Sequence, residues 1–143
     1  MLRPQDIAAA TVLALPDMSA WTGRAVDRSA LLEFLRHGVR YAFCASRGAP
    51  TRGVPAGVLA PPLNTLLSAT EGPGWPSVDG TARGYALAPL YRTAPAAARR
   101  DASVKEVLAL TDTLREGGAR ERALAIRELR RRLERPMKTS GDG

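Results

Sequence analysis

The sequence contains few of the residue types from which most catalytic and metal-binding centres are built. Its 143 residues include one histidine, His37, and one cysteine, Cys44. A single cysteine excludes an intrachain disulfide and a thiolate cage for zinc, and it is typical of a reducing, cytoplasmic compartment. Any Ser-His-Asp triad, Cys-His dyad or paired-histidine metal site would have to use His37. We therefore expect neither a metal nor a cofactor.

Long apolar runs and acidic motifs are also missing. Arginine or proline interrupts every apolar stretch before it approaches the roughly 20 residues of a membrane span. The first residues, which include Arg3, Pro4 and Asp6, lack the apolar region of a secretory signal. The patterns D-x-D, H-E-x-x-H, G-x-S-x-G and Walker A do not occur. We expect a cytoplasmic protein that is not an enzyme and does not enter membranes. The alternative is a small hydrolase or transferase that uses His37 or Cys44.

Basic residues exceed acidic ones, and the formal net charge is +7. Such an excess is typical of proteins with an acidic partner such as nucleic acid. It is also what a GC-rich coding sequence produces, since 19 of the 21 basic residues are arginine and alanine occurs 25 times. The charge alone therefore does not decide between a binding function and a compositional bias.

Two segments are candidates for contact with an anion. A doubled Arg-Gly turn contains Arg47 and Arg52, whose guanidinium groups could clamp a phosphate that the glycines let approach the backbone. An irregular loop without a ligand explains the same pattern more simply. The run Arg130 to Arg132 could follow phosphates without sequence preference, although pairing with Glu128 would also explain it. The predicted anion contacts are Arg47, Arg52, Arg130, Arg131 and Arg132.

Apolar periodicity predicts a mainly α-helical domain over residues 1–135, followed by a disordered tail over 136–143. One helix is expected from Pro4 to Leu15 and a second from Arg28 to Phe43, capped by Asp27. Because Cys44 follows this second, apolar helix, we expect its thiol to be shielded and to react slowly.

The C-terminal part predicts an antiparallel helical hairpin. A capping box from Ser103 to Glu106 starts the first of its helices, and Gly117-Gly118 ends it. The expected core positions of the two helices are Val104, Val107, Leu108, Thr111 and Leu114, and Ala119, Ala123, Ile126, Leu129 and Leu133.

The middle of the chain is expected to be extended or irregular. Glycine and proline punctuate residues 46–62, which indicates turns and extended chain rather than a packed element. A short helix is expected over Leu63 to Ser68, after Pro61-Pro62. Residues 71–80 are the most loop-like and are expected to be exposed, and a short extended piece follows from Arg83 to Leu87.

The order of several segments resembles a bacterial family. The segments are LRPQDI, SAWT at 19–22, RSALLEFLRHGVRYAF, RGAPTRGVP with APPL, LAPLYRTAPAAARRD and LREGGARERAL. Together, over about residues 2 to 133, they resemble winged-helix or MarR-like transcriptional regulators, some of which look like partners of toxin-type nucleotidyltransferases. The resemblance implies transcription regulation by binding to DNA or to a protein, either a toxin-like partner or a second copy of the chain.

One part of the family pattern is missing from this sequence. Only a dozen residues, Pro16 to Asp27, separate the first two expected helices. That length is too short for the positioning and recognition helices that the family has there. We therefore expect a regulator-like, antitoxin-like protein that binds a partner protein, or binds DNA weakly and without sequence preference.

Overall fold

The computed structural model describes residues 3–14 and 27–134. Its elements, in chain order, are α1 (Pro4–Ala14), α2 (Arg28–His37), α3 (Val39–Ala42), β1 (Pro50–Pro55), a 3-10 turn (Gly57–Leu59), α4 (Leu63–Leu67), β2 (Pro73–Pro76), β3 (Ala82–Ala86), α5 (Ala94–Arg100), α6 (Ala102–Glu116) and α7 (Ala119–Glu134). The chain is mainly helical, as the sequence predicts, and it also contains a three-stranded sheet. The predicted tail over 136–143 and the short segment between the first two helices lie outside the described residues.

The C-terminal helical hairpin is confirmed. Helix α6 ends where the Gly117 amide donates a hydrogen bond to the Thr113 carbonyl at 2.8 Å. Helix α7 returns antiparallel to α6, so that Arg132 near its end lies 3.1 Å from Glu106 near the start of α6. The short Gly117-Gly118 link therefore makes the turn that the sequence predicts.

The predicted capping box at the start of α6 is wrong. Helix α6 begins at Ala102, and the carboxylate of Asp101 caps it by accepting a hydrogen bond from the Ser103 amide at 2.8 Å. Asp101 directly follows α5, so this one residue ends α5 and caps α6. Glu106 is consequently free to pair with Arg132 instead of reaching back along its own helix.

Helix α6 is the central helix of the fold. It packs against α1, α3, α5, α7 and the 3-10 turn, and every residue from Val107 to Arg115 is buried. Helix α7 buries Ala125, Leu129 and Leu133 against it. The predicted stripe on α7 is therefore wrong at its beginning, since Ala119 and Ala123 are exposed and Ile126 is only half-buried.

The expected helix from Arg28 to Phe43 is divided at Gly38. Asp27 caps its start as predicted, accepting from the Ala30 amide at 3.0 Å. The Gly38 amide donates to the Phe34 carbonyl, which ends α2 before α3 begins. A Cβ at position 38 would lie 2.8 Å from the Phe34 ring. Glycine thus lets the chain turn closely around the ring of Phe34.

The three strands form a small closed barrel. Strand β1 pairs antiparallel with both β2 and β3, and β2 and β3 pair parallel with each other. The predicted short helix is confirmed as α4, and the extended piece near Arg83 is confirmed as β3. The prediction of no packed element over residues 46–62 is wrong, because β1 lies there and pairs with both other strands. The prediction of an exposed loop over 71–80 is also wrong, because β2 lies there and Trp75 is buried.

The glycines of these segments permit strand contact rather than turns. A Cβ on Gly53 would overlap the carbonyl oxygen of Trp75, and a Cβ on Gly84 would overlap that of Gly72. Strands of such a small barrel must approach one another this closely in order to close, which only glycine allows. The residues that indicated a loop are therefore required by the sheet.

A buried polar network joins α6 to the barrel. The carboxylate of Asp112 accepts hydrogen bonds from Trp75 Nε1 at 3.0 Å and from Arg115 Nη1 at 2.8 Å. Arg115 Nε also donates to the Phe43 carbonyl at 2.8 Å, beyond the end of α3. Burial raises the pKa of Asp112 to about 6, because desolvation outweighs the attraction of Arg115 and the two hydrogen bonds. The network thus fixes α6, β2 and the chain after α3 relative to one another.

We expect Asp112 to make the stability of the protein depend on pH. Its pKa is higher in the folded protein than the ordinary value of 3.8, so its contribution to stability is present below about pH 4 and is lost as the pH rises through about 6. The free energy of unfolding of the wild type, relative to that of Asp112→Asn, should therefore fall across this range. Urea titrations of both proteins between pH 4 and pH 7 measure this difference. A difference that stays constant or grows with pH would contradict the expected protonation.

Candidate nucleic-acid interface

A groove between α2–α3 and α7 concentrates arginine side chains. Its volume is about 560 Å³. Helix α2 contributes Arg36 and His37, α3 contributes Arg40 and Tyr41, and α7 contributes Arg122, Arg127 and Arg130. Leu114, Ala119, Ala123 and Ile126 complete its lining, which contains no carboxylate. We call this feature the basic groove.

Helical periodicity explains why the arginines meet there. Leu35 and Val39 are buried, and they hold α2 and α3 in the core while Arg36 and Arg40 follow one position later on the outer face. On α7, the burial of Leu129 and Leu133 leaves the other side of the helix outside the core. Because α2 packs against α7, the two arginine-bearing faces form the two walls of one groove.

Some arginines of the described residues pair with carboxylates, whereas others, among them Arg52, Arg83 and the five of the basic groove, do not. Within residues 3–14 and 27–134, none of the five forms an ion pair. The guanidinium groups of Arg47, Arg115, Arg131 and Arg132, by contrast, each lie within 3.1 Å of a carboxylate oxygen. The Arg40 guanidinium lies over the ring of Tyr41, 5.3 Å from its centre. The positive charge of the groove is therefore not neutralised by the described part of the chain.

Acidic residues lie at the edge of the basic groove. Glu33 Oε1 is 3.6 Å from His37 Nε2, and both side chains are exposed. A neighbouring groove of about 380 Å³ shares Arg36 and Arg130 with the basic groove, but Glu33 and Glu134 also line it. The basic groove is therefore the side of the α2–α7 contact that has no carboxylate in its lining, whereas the neighbouring groove has two.

The structure brings one of the five predicted anion contacts, Arg130, into the basic groove. Arg132 pairs with Glu106 and Glu128, at 3.1 and 2.7 Å, and Arg131 pairs with Glu128 at 3.0 Å. The three consecutive arginines therefore do not form one contact surface. Arg131 and Arg132 also show the pairing with Glu128 that the sequence offers as the alternative explanation.

The other two predicted contacts lie near the barrel. Arg52 is exposed on β1. Arg47 Nε lies 2.9 Å from Glu116 Oε2, and its guanidinium lies over the ring of Tyr85, 4.6 Å from the centre. The Tyr85 hydroxyl donates to the same carboxylate at 3.0 Å, and burial together with Glu116 raises the pKa of Tyr85. Arg47 is thus held by its own chain and does not share a site with Arg130.

Four arginines of the groove are not among the predicted anion contacts: Arg36, Arg40, Arg122 and Arg127. The available signal was the four-residue spacing of Arg36 and Arg40 on the polar side of an amphipathic helix. The spacing does not reveal that α7 lies opposite, because that contact joins segments about 90 residues apart in the chain.

The residues of the alternative enzyme hypothesis do not come together. Cys44 is exposed, which makes the expectation of a shielded thiol wrong. The physical reason is that α3 ends at Ala42 and the half-buried Phe43 covers the core, so that Cys44 already lies beyond it. No hydrogen bond links His37 with Cys44, both of which are described residues. In the same described ranges, no group of three or more His, Cys, Asp or Glu residues is placed to hold a metal ion.

A second cavity, of about 490 Å³, lies between the barrel and helices α5 and α6. Its lining is mainly apolar and includes Val54, Trp75 and Ala98, with Arg99 and Lys105 as its charged residues. The indole N–H of Trp75 is already bonded to Asp112. This cavity therefore has fewer charged groups than the basic groove from which to assign a ligand.

None of the helices in the described ranges is both long and apolar enough to cross a membrane. Comparison with protein-family models, curated proteins and solved structures finds no match for this chain. The functional assignment therefore depends on the geometry and charge of the basic groove.

Proposed function

We propose that this chain is a non-catalytic, regulator-like protein that binds the phosphate backbone of nucleic acid through the basic groove. The observation that carries the proposal is the group of five arginines that line one groove and have no carboxylate partner among the described residues. Arginine binds phosphate with two parallel hydrogen bonds, and clustered positive charge attracts polyanions over a distance. A phosphate backbone would supply the negative charge that this groove lacks.

The proposed binding is without sequence preference. Specific recognition requires side chains at base edges, normally from a helix seated in the major groove. The buried residues Leu31 and Leu35 on α2, and Leu129 on α7, hold both helices in the core. Their arginines line a concave surface between the helices, where they are placed for phosphates rather than for the bases of a duplex.

The surface supports nucleic acid better than a protein partner. Protein interfaces usually contain an apolar centre. The large exposed apolar side chains of the described residues are Tyr41 on α3, Leu66 on α4 and Val78 in the turn between β2 and β3. A toxin-like partner or a second copy of the chain therefore has less support than a polyanion. Kinship with winged-helix regulators and a cytoplasmic location belong to the same proposal.

Neutralising three arginines of α7 should weaken the binding of nucleic acid. It should also make the affinity depend less steeply on salt concentration. The variant is Arg122→Gln/Arg127→Gln/Arg130→Gln. Each lost phosphate contact lowers the slope of log K against log salt by about 0.9 for a duplex and about 0.7 for a single strand. Three lost contacts therefore lower it by about 2 to 3. Fluorescence anisotropy with labelled duplex and single-stranded oligonucleotides of arbitrary sequence, at several salt concentrations, measures this slope.

The matched control is Arg83→Gln/Arg92→Gln/Arg100→Gln, which removes the same charge from exposed positions outside the groove. It should retain most of the affinity and the slope of the wild type. Equal losses of affinity in the two variants would show that the net charge of the protein, and not the basic groove, is responsible for the binding. No measurable binding of either oligonucleotide at low salt would contradict the proposal. A preference of more than about a hundredfold for one duplex sequence would contradict binding without sequence preference.

A further inference from the structure

Tyr41 is an exposed aromatic residue in the lining of the basic groove. Its side chain is 75% exposed, whereas the other aromatic residues within the described ranges are buried or half-buried. Those residues are Phe34, Phe43, Trp75, Tyr85 and Tyr91. The Tyr41 ring therefore contributes little to the core, although it is a large and partly apolar group.

The neighbouring Arg40 holds the Tyr41 ring in one orientation. The Arg40 guanidinium lies over the ring at 5.3 Å from its centre. Such a cation–π contact restricts the orientation of the ring and occupies one of its faces. At 75% exposure, the remainder of the ring is open to solvent. A flat group could therefore stack on the ring beside the arginines of the groove.

We infer that the basic groove binds single-stranded nucleic acid, with one unpaired base stacked on Tyr41 and the neighbouring phosphates on the arginines of α7. The inference rests on the proposed function and names its substrate class. A positively charged groove combined with exposed aromatic rings is the usual arrangement for single strands, because every base has a stacking face. In a duplex those faces are covered by the neighbouring base pairs, so the ring would have nothing to stack on.

The dimensions of the groove favour a single strand as well. The axes of packed helices lie about 8–10 Å apart, and α2 and α7 are packed against each other. The major groove of a duplex is by itself about 12 Å wide, so the whole duplex is wider than the distance between these two helix axes. A duplex would contact only the rims of the basic groove, whereas one strand can follow its floor.

The test compares a labelled oligothymidine with a duplex of equal length by fluorescence anisotropy, using the full chain. The wild type should bind the single strand at least about tenfold more tightly. Tyr41→Ala should weaken binding of the single strand about tenfold, in line with the effect of removing one stacking residue, and should weaken duplex binding much less. Tyr41→Phe should bind like the wild type, because it keeps the ring. Val78→Ala, at another exposed apolar position, is the control.

Each other outcome overturns a defined part of this inference. Equal or tighter binding of the duplex, with the salt slope still lowered by the α7 variant, would overturn the preference for a single strand and leave the proposed function intact. Single-strand binding that is unaffected by Tyr41→Ala would overturn the stacking role. Equally tight binding of an oligoglutamate peptide would show that the groove accepts any polyanion. If the wild type bound neither the single strand nor the duplex, the proposed function would be overturned as well.

Discussion

Replacing Leu129 with aspartate is expected to lower the free energy of unfolding by about 4 kcal/mol or more, a large part of the stability of a typical domain. Leu129 is fully buried and belongs to a core cluster that joins α1, α2, α6 and α7. A carboxylate at this position would lose its hydration without gaining a partner, and the apolar contacts of leucine would be lost too. We expect this variant to unfold at a clearly lower temperature and urea concentration than the wild type.

Circular dichroism during thermal and urea unfolding measures the effect. Ala123→Asp is the matched control, since it introduces the same group on the same helix at an exposed position. That variant should remain close to the wild type in helicity and melting temperature. If Leu129→Asp melted like the wild type, the packing of α7 against α6 described above would be wrong.

Arg115→Met should destabilise the protein by about 3–5 kcal/mol at pH 7, because it leaves the carboxylate of Asp112 buried without its charged partner. Methionine retains much of the apolar stem but cannot donate to Asp112 or to the Phe43 carbonyl. The decrease in the free energy of unfolding that Arg115→Met causes should be smaller near pH 5. Without Arg115 the pKa of Asp112 rises further above its unfolded value, so the deficit relative to the wild type grows as the pH increases.

The double variant Arg115→Met/Asp112→Asn separates the loss of charge pairing from the loss of packing. Asparagine retains an acceptor for the indole of Trp75 but carries no charge, so the double variant should recover a substantial part of the stability at pH 7. Urea unfolding of the wild type, both single variants and the double variant gives the coupling between the two positions. A double variant that is no more stable than Arg115→Met would show that the unpaired carboxylate is not the cause.

The parts of the fold that depend on neighbouring residues could be predicted from the sequence. The Asp27 cap, the stop at Gly117 and the buried positions Leu108 and Leu129 all follow from caps and from apolar periodicity within one helix. These features are local, because the groups that form them are separated by a few residues in the chain.

The barrel could not be predicted because its strands pair over longer distances. Gly53 lies against Trp75 and Gly84 against Gly72, so the function of these glycines is visible only when both strands are in place. The same holds for Asp112 and Arg115. Their partners, Trp75 and Phe43, are 37 and 72 residues away. A polar residue on α6 is therefore buried because the barrel covers the face on which it lies.

The candidate site shows the same division between local and distant effects. By itself the sequence established that the chain is rich in arginine and that its helices have polar faces. Tertiary structure decided which arginines lie together, because successive residues of a helix point about 100° apart. Arg131 and Arg132 adjoin Arg130 in the chain but turn towards Glu128 and Glu106. Arg36 and Arg40, from a helix about 90 residues earlier, line the groove with Arg130 because α2 packs against α7.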